Sequence, residues 1–145
     1  MFNENSLEDT TLKLFEEMGY ERLCGYDIDR DYHSVFMDNN LLDDLCRINK
    51  EFNESQVQEA IRTIKNLSHG NPIEDNKTFS KYLIDGVPIL VKESTGYQYK
   101  NVKLINFDNI NNNHFQVVNQ FKIIEFDTKR PDIIVFINGI PVVVI

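Results

Sequence analysis

The 145-residue sequence has no apolar run approaching the roughly 20 residues that a membrane-spanning helix needs. Its first residues, Met-Phe-Asn-Glu-Asn, lack the basic stretch and apolar core of a secretory signal. The cytoplasm is therefore the expected compartment, and no membrane is expected as a partner. Cysteine is scarce. Cys24 and Cys46 lie 22 positions apart with no CxxC, too few for a disulfide framework, so both are expected to be reduced and mostly buried. The three histidines, His33, His69 and His114, fall in expected loops, and without HExxH or paired-His spacing zinc catalysis has no support. GxxxxGK[ST], GxGxxG and GxSxG are all missing, so no P-loop binds a nucleotide within this segment. Alanine occurs once, at Ala60, against seventeen Asn, and Lys outnumbers Arg ten to five. This bias fits an AT-rich genome better than a role for runs such as Asn111-Asn112-Asn113.

Basic residues are also short: 15 against 23 acidic ones, a net charge of −8 and a pI of about 4.8. Such a chain is no non-specific nucleic-acid binder. A nuclease remains open, because its active site is itself acidic. Any affinity for DNA must then come from a local patch, a metal or a partner.

What is present suits one folded domain. Hydrophobic residues make up 41% and charged residues 26%, and a chain of this length buries roughly 68–70% of its unfolded surface. Residues 1–145 are expected to form a single domain, helical over about 6–84 and sheet over about 87–145. Ser6 can cap a first helix, with Leu7, Leu14, Phe15 and Met18 on one face and Gly19 ending it. A second helix starts at Asn39 or Asn40 and carries Leu41, Leu42, Leu45 and Ile48. A third starts near Asn53 with Gln56 three residues on, and its stripe is Val57, Ala60, Ile61 and Ile64. Gly70-Asn71-Pro72 stops it, and a short fourth helix holds Phe79, Tyr82 and Leu83.

After Asp85-Gly86 the period shortens to that of strands. Val87–Glu93 and Tyr97–Phe107 pair around Thr95-Gly96, then come a loop from Asp108 to Asn113, a long strand over Phe115–Phe126, and strands at Ile133–Ile137 and Val142–Ile145. Asn138-Gly139 is a hairpin turn, since both positions tolerate positive φ. Helices followed by a mainly antiparallel or mixed sheet make an α+β fold. Val142-Val143-Val144-Ile145 is apolar throughout, as in a strand covered on both faces, and a chain ending there is expected to be cut inside its sheet.

Two stretches carry candidate chemistry. Asp27-Ile28-Asp29-Arg30-Asp31, with Asp38 at the twelfth place, has the spacing of a calcium loop. Tyr32 stands where that loop needs Gly, so a solvated acidic loop is the better reading. Arg130-Pro131-Asp132 runs straight into Ile133–Ile137. A carboxylate at the mouth of a buried strand has a fixed backbone and an open side, which suits a metal ligand, although Pro-Asp alone is common at turns.

The context of that dipeptide resembles a known family. Phe115-Gln116-Val117-Val118-Asn119-Gln120-Phe121 and the run from Arg130 to Ile145 resemble the N-terminal nuclease region of the restriction (R) subunit of type I restriction-modification enzymes. Glu8 with Leu12 and Leu14, Gly19-Tyr20-Glu21, Gly86-Val87-Pro88-Ile89 and Val102–Phe107 resemble it too. That nuclease is of the PD-(D/E)xK class. The resemblance implies an endonuclease that cuts DNA with Mg²⁺, with Asp132 as the metal-binding aspartate. It also implies modification and specificity subunits as partners and an ATP-driven motor elsewhere in the subunit. The acid and lysine of the motif would be the first and third residues after Ile145, so this segment is expected to be incomplete at its C-terminus and inactive alone.

Other residues have two readings each. Glu8 assists the metal or phosphate, or is a solvated first-turn acid favoured by the helix dipole. Asn119 and Gln120 bond a neighbouring loop or touch DNA. Arg130 meets a phosphate or pairs with Asp127. A reading from another class, a non-catalytic docking module, also fits the acidic charge. Register separates these further. With a bare two-residue loop at Asn138-Gly139, Asp132 faces Ile145, whereas an odd loop or a bulge brings the next position opposite Asp132 on the same face. The nuclease reading requires the latter.

Overall fold

The structure, a computed structural model, describes residues 4–67, 70–124, 128–129 and 131–145. The chain divides into two compact units: residues 1–41 with 114–145, and residues 42–113.

The first unit is built on a four-stranded sheet of order β1-β4-β7-β8, with β1 (Glu21–Cys24), β4 (Phe115–Asn119), β7 (Ile133–Ile137) and β8 (Ile140–Val144). β1 runs parallel to β4, and the other neighbours are antiparallel. The mixed α+β architecture expected from the sequence is present. The expected division into a helical half and a sheet half is not clean, because β1 lies between helices. Period-two alternation gives the sheet two apolar faces. Val117, Ile133 and Val135 pack with Leu12 and Phe15 of α1 (Glu4–Glu17), and Val118, Ile134 and Phe136 pack with Met37 and Phe121. Every residue of β7 from Ile133 to Phe136 is buried, which is why that segment reads as an unbroken apolar run.

The β7–β8 turn is the two-residue loop Asn138-Gly139, with φ of 53° and 81°. These left-handed values match the twist of the strands they join. Gly139 also lies so close to Met37 and Leu41 that an added Cβ would sit 3.0 Å from the Met37 carbonyl oxygen. Ile137 pairs with Ile140 and Phe136 with Pro141, but Val135 pairs with Val143, so Val142 is an extra residue, a β-bulge. Pro141 has no N–H for the ladder, and a bulge is one of the few places a sheet accepts it. Beyond the bulge Ile133 and Ile145 exchange backbone hydrogen bonds of 3.3 and 2.9 Å. The bulge required for the nuclease register is there.

The expected long strand over Phe115–Phe126 is not. β4 stops at Asn119 because Gln120 takes φ of 53°, and residues 125 and 126 lie outside the described set. A small ladder follows, β5 (Ile123–Ile124) with β6 (Thr128–Lys129). β8 begins two residues earlier than its apolar run suggests, at Ile140.

The second unit starts within α2 (Asp38–Ile48) and holds α3 (Glu54–Lys65), α4 (Pro72–Asp85) and the hairpin β2 (Val87–Glu93) with β3 (Gly96–Val102). β3 ends at Val102, short of the expected Phe107. α3 packs on β2, and Val57, Ala60, Ile64, Val87, Ile89 and Val102 are buried. Asn53 and Gln56 form a full capping box on α3. Asn53→Ala is expected to cost about 1 kcal/mol in a denaturant melt; an unchanged midpoint would contradict the cap. Asn49 is fully buried, donates to the Leu45 and Lys103 carbonyls and accepts from Lys103 N–H, each at 2.8 Å. No helix among the described residues is long and apolar enough to cross a membrane.

Candidate active site

Asp132 sits at the mouth of β7, exposed, after a half-buried Pro131. Its backbone carbonyl accepts the Gln120 N–H at 3.4 Å, which extends the β4–β7 ladder one step past the Asn119–Ile133 pair. Burial of Ile133 to Phe136 anchors the strand behind it, so the carboxylate is held at the edge of a rigid element.

Glu8 comes from the first turns of α1. Its Oε1 accepts from Asn119 Nδ2 at 3.0 Å and from Gln120 Nε2 at 3.4 Å. Two amide donors on one oxygen fix the rotamer of the carboxylate. Glu8 Oε2 makes no hydrogen bond among the described residues. Asn119 and Gln120 thus hydrogen-bond a side chain of helix α1 and not a neighbouring loop. Gln120 is the link between the two acids: its side chain holds Glu8 and its backbone holds Asp132.

Glu8, Asn119 and Gln120, but not Asp132, line a cleft of about 210 Å³ together with Asn5, Asp9, Leu12 and Arg22. Arg22 donates to Asp9 at 2.9 Å and to Glu16 at 3.0 Å. Those bonds raise the Arg22 pKa, and the Arg22 and Lys13 hydrogen bonds hold the Asp9 carboxyl below the usual range. Arg22 is thus a cation on the cleft wall already matched by two acids.

Gln120 is held in place from behind. The turn Gly25–Asp27 approaches so closely that a Cβ on Gly25 would lie 2.2 Å from the Gln120 carbonyl oxygen. Arg30 stacks over Phe121, its guanidinium carbon 3.5 Å from the ring centroid, and over Tyr32 at 5.0 Å. It donates to the backbone carbonyls of Asp31, Ser34 and Lys122. Burial lowers its pKa from the ordinary value. Sequence reasoning missed Gly25, Arg22 and Arg30 as supports, since nothing local distinguishes a glycine packed against distant backbone.

The site residues named from sequence are therefore partly assembled. Glu8, Asn119 and Gln120 meet, Asp132 joins them through backbone, and Arg130 with Asp127 lies outside the described residues. Among the described residues no three His, Cys, Asp or Glu side chains gather as a metal site, in the Asp27–Asp31 loop or here. Taken alone, these residues offer a hard cation like Mg²⁺ no complete ligand set, since it needs several oxygen ligands and one carboxylate binds it weakly.

The whole chain, residues 1–145, matches the family described as "Type I restriction enzyme R protein N terminus". It is 30% identical to the type I restriction enzyme HindI endonuclease subunit of Haemophilus influenzae, over 99% of this chain and 15% of that protein. It is also 30% identical to the putative type I restriction enzyme MjaIXP endonuclease subunit of Methanocaldococcus jannaschii, over 95% of this chain and 14% of that protein. A second putative subunit from that organism, MjaVIIIP, is 27% identical over all of the chain. The chain spans about 15% of the length of these curated relatives. With the family matched from end to end and the Asp132 strand, its bulged partner and the Glu8 helix in place, the chain belongs to the type I restriction enzyme R protein N-terminal family.

Proposed function

We propose that this chain is part of the DNA-cleaving endonuclease domain of a type I restriction enzyme R subunit, hydrolysing phosphodiester bonds with Mg²⁺. The observation that carries the reading is the family match across residues 1–145 combined with an exposed aspartate at the mouth of a strand buried from Ile133 to Phe136. Asp132 supplies one metal-binding carboxylate. Glu8, oriented by Asn119 and Gln120, assists the metal or the phosphate through its other oxygen, Oε2. The bulged register adds support, because it is the one that the nuclease reading requires: Ile133, not Asp132, faces Ile145. Mg²⁺, when bound, supplies a lower water pKa and charge neutralisation on the phosphate. The chain's own residues hold the carboxylates: β7 fixes Asp132, and the Asn119 and Gln120 amides orient Glu8.

In this reading both compact units belong to one nuclease-type domain, working in the cytoplasm. ATP is used in a motor outside the segment, modification and specificity subunits are partners, and residues 1–145 are inactive alone. A non-catalytic docking role is the second reading, favoured by the lack of a three-acid cluster among the described residues. Titration with Mn²⁺, followed by NMR line broadening, separates the two. The nuclease reading expects weak broadening centred on Asp132 that Asp132→Ala removes. Broadening elsewhere, or unchanged by the variant, counts for docking.

A further inference from the structure

The β2–β3 hairpin has one face against α3 and one face open. The register pairs Pro88 with Asn101, Leu90 with Tyr99 and Lys92 with Tyr97. All six side chains stand on the open face. Leu90 is 47% exposed, Tyr97 68% and Tyr99 69%, while Val87, Ile89 and Val102 are buried on the other side. Two tyrosines this bare on a regular ladder are unusual for a surface that only meets water. Alternation requires an outward residue at each position, but not an aromatic one twice running.

The chemistry of the face is selective. It carries no carboxylate, and its single charge is the Lys92 ammonium. Lys92 makes no ion pair among the described residues, whereas Lys100, on the opposite side of β3, is paired with Glu93. Beside Pro88 and Asn101 the face runs into a cavity of about 630 Å³ that has both Lys81 and Asp85 on its wall. The charge of the chain is unevenly spread in the same sense. Residues 42–113 carry ten acidic and nine basic side chains, and the remainder thirteen and six. The segment bearing the hairpin is the nearly neutral one.

We propose that this face binds single-stranded DNA, with unpaired bases stacked on Tyr97 and Tyr99 and a backbone phosphate on Lys92. The rings are two residues apart on one strand, about 6.6–6.8 Å, a spacing that an extended strand with splayed bases can follow. Stacking on aromatic faces with a nearby cation is sequence-tolerant. It supplies the local patch that the net charge of −8 otherwise lacks. The proposal rests on the DNA-cleaving reading for its substrate class, but it uses none of the cleft residues.

The test is fluorescence anisotropy of the 145-residue chain with labelled oligo(dT), oligo(U) and a duplex of equal length. Wild-type protein should bind oligo(dT) in preference to duplex, and tighter binding of oligo(U) than of oligo(dT) overturns the DNA assignment. Tyr97→Ala and Tyr99→Ala should each weaken binding about tenfold and the pair about 100-fold. Raising salt from about 50 to 200 mM should weaken it roughly threefold per phosphate contacted. Circular dichroism checks that the variants fold, and Lys92→Gln gives a second variant that leaves the rings intact. Asp132→Ala should bind like wild type; if it does while failing to cut in the whole protein, the two readings stand separately. No single-strand binding, or equal binding by the double variant, overturns the proposal. So does a double variant that changes only the oligomeric state in sedimentation, which would make the face an interface between copies.

Discussion

Asp132→Ala in the full-length subunit is expected to lower Mg²⁺-dependent DNA cleavage more than about 100-fold, because even the outer-shell partners of metal ligands cost 10–100-fold when lost. The side chain is exposed and forms no core contact, so its removal should leave folding intact. Equal melting curves for variant and parent would confirm that. The substitution also spares the backbone carbonyl that accepts from Gln120, so the β4–β7 ladder persists. A gel assay of supercoiled DNA reads the result directly. A variant that cuts at the parent's rate removes Asp132 from the chemistry and leaves the docking reading standing.

The second large effect is structural. Gly25→Ala places a Cβ 2.2 Å from the Gln120 carbonyl oxygen, 2.7 Å from its carbon and 3.0 Å from Phe121 Cα. All three atoms are backbone, so no side-chain rotation relieves the clash. The turn after β1 and the segment after β4 must move apart. Overpacking of this kind costs about 2–3 kcal/mol, a fall in Tm of roughly 6–12 °C. The damage should also reach the cleft, since Gln120 holds Glu8 through its side chain and Asp132 through its N–H. A Gly25→Ala protein melting within a degree of the parent would mean that the two backbones are not in contact.

How much of this was legible beforehand depends on how local each cause is. The capping box at Asn53 and Gln56, the bounds of β2 and β7 and the Asn138-Gly139 turn all follow from neighbours a few residues apart. β1 did not announce itself, because Glu-Arg-Leu-Cys neither alternates nor forms a run. It is a strand because β4 lies parallel beside it, nearly a hundred residues on. The same holds for Gln120, where the strand stops and the backbone of Gly25 packs closely from another part of the chain. The division into two units was equally silent. One boundary falls inside α2 and the other between Asn113 and His114, and neither has the composition of a linker. Of the site, Asp132 was readable from a resemblance, and the pairing of Glu8 with both amides only from the folded chain.

The bulge at Val142 acts on β8 as one inserted base acts on a reading frame. Upstream of it nothing changes, while downstream every side chain is sent to the opposite face. Deleting that one valine would leave the identity and order of all other residues intact and still turn Val143, Val144 and Ile145 inside out. Composition would not record the loss, and a residue-by-residue inventory of the site would still find every group present.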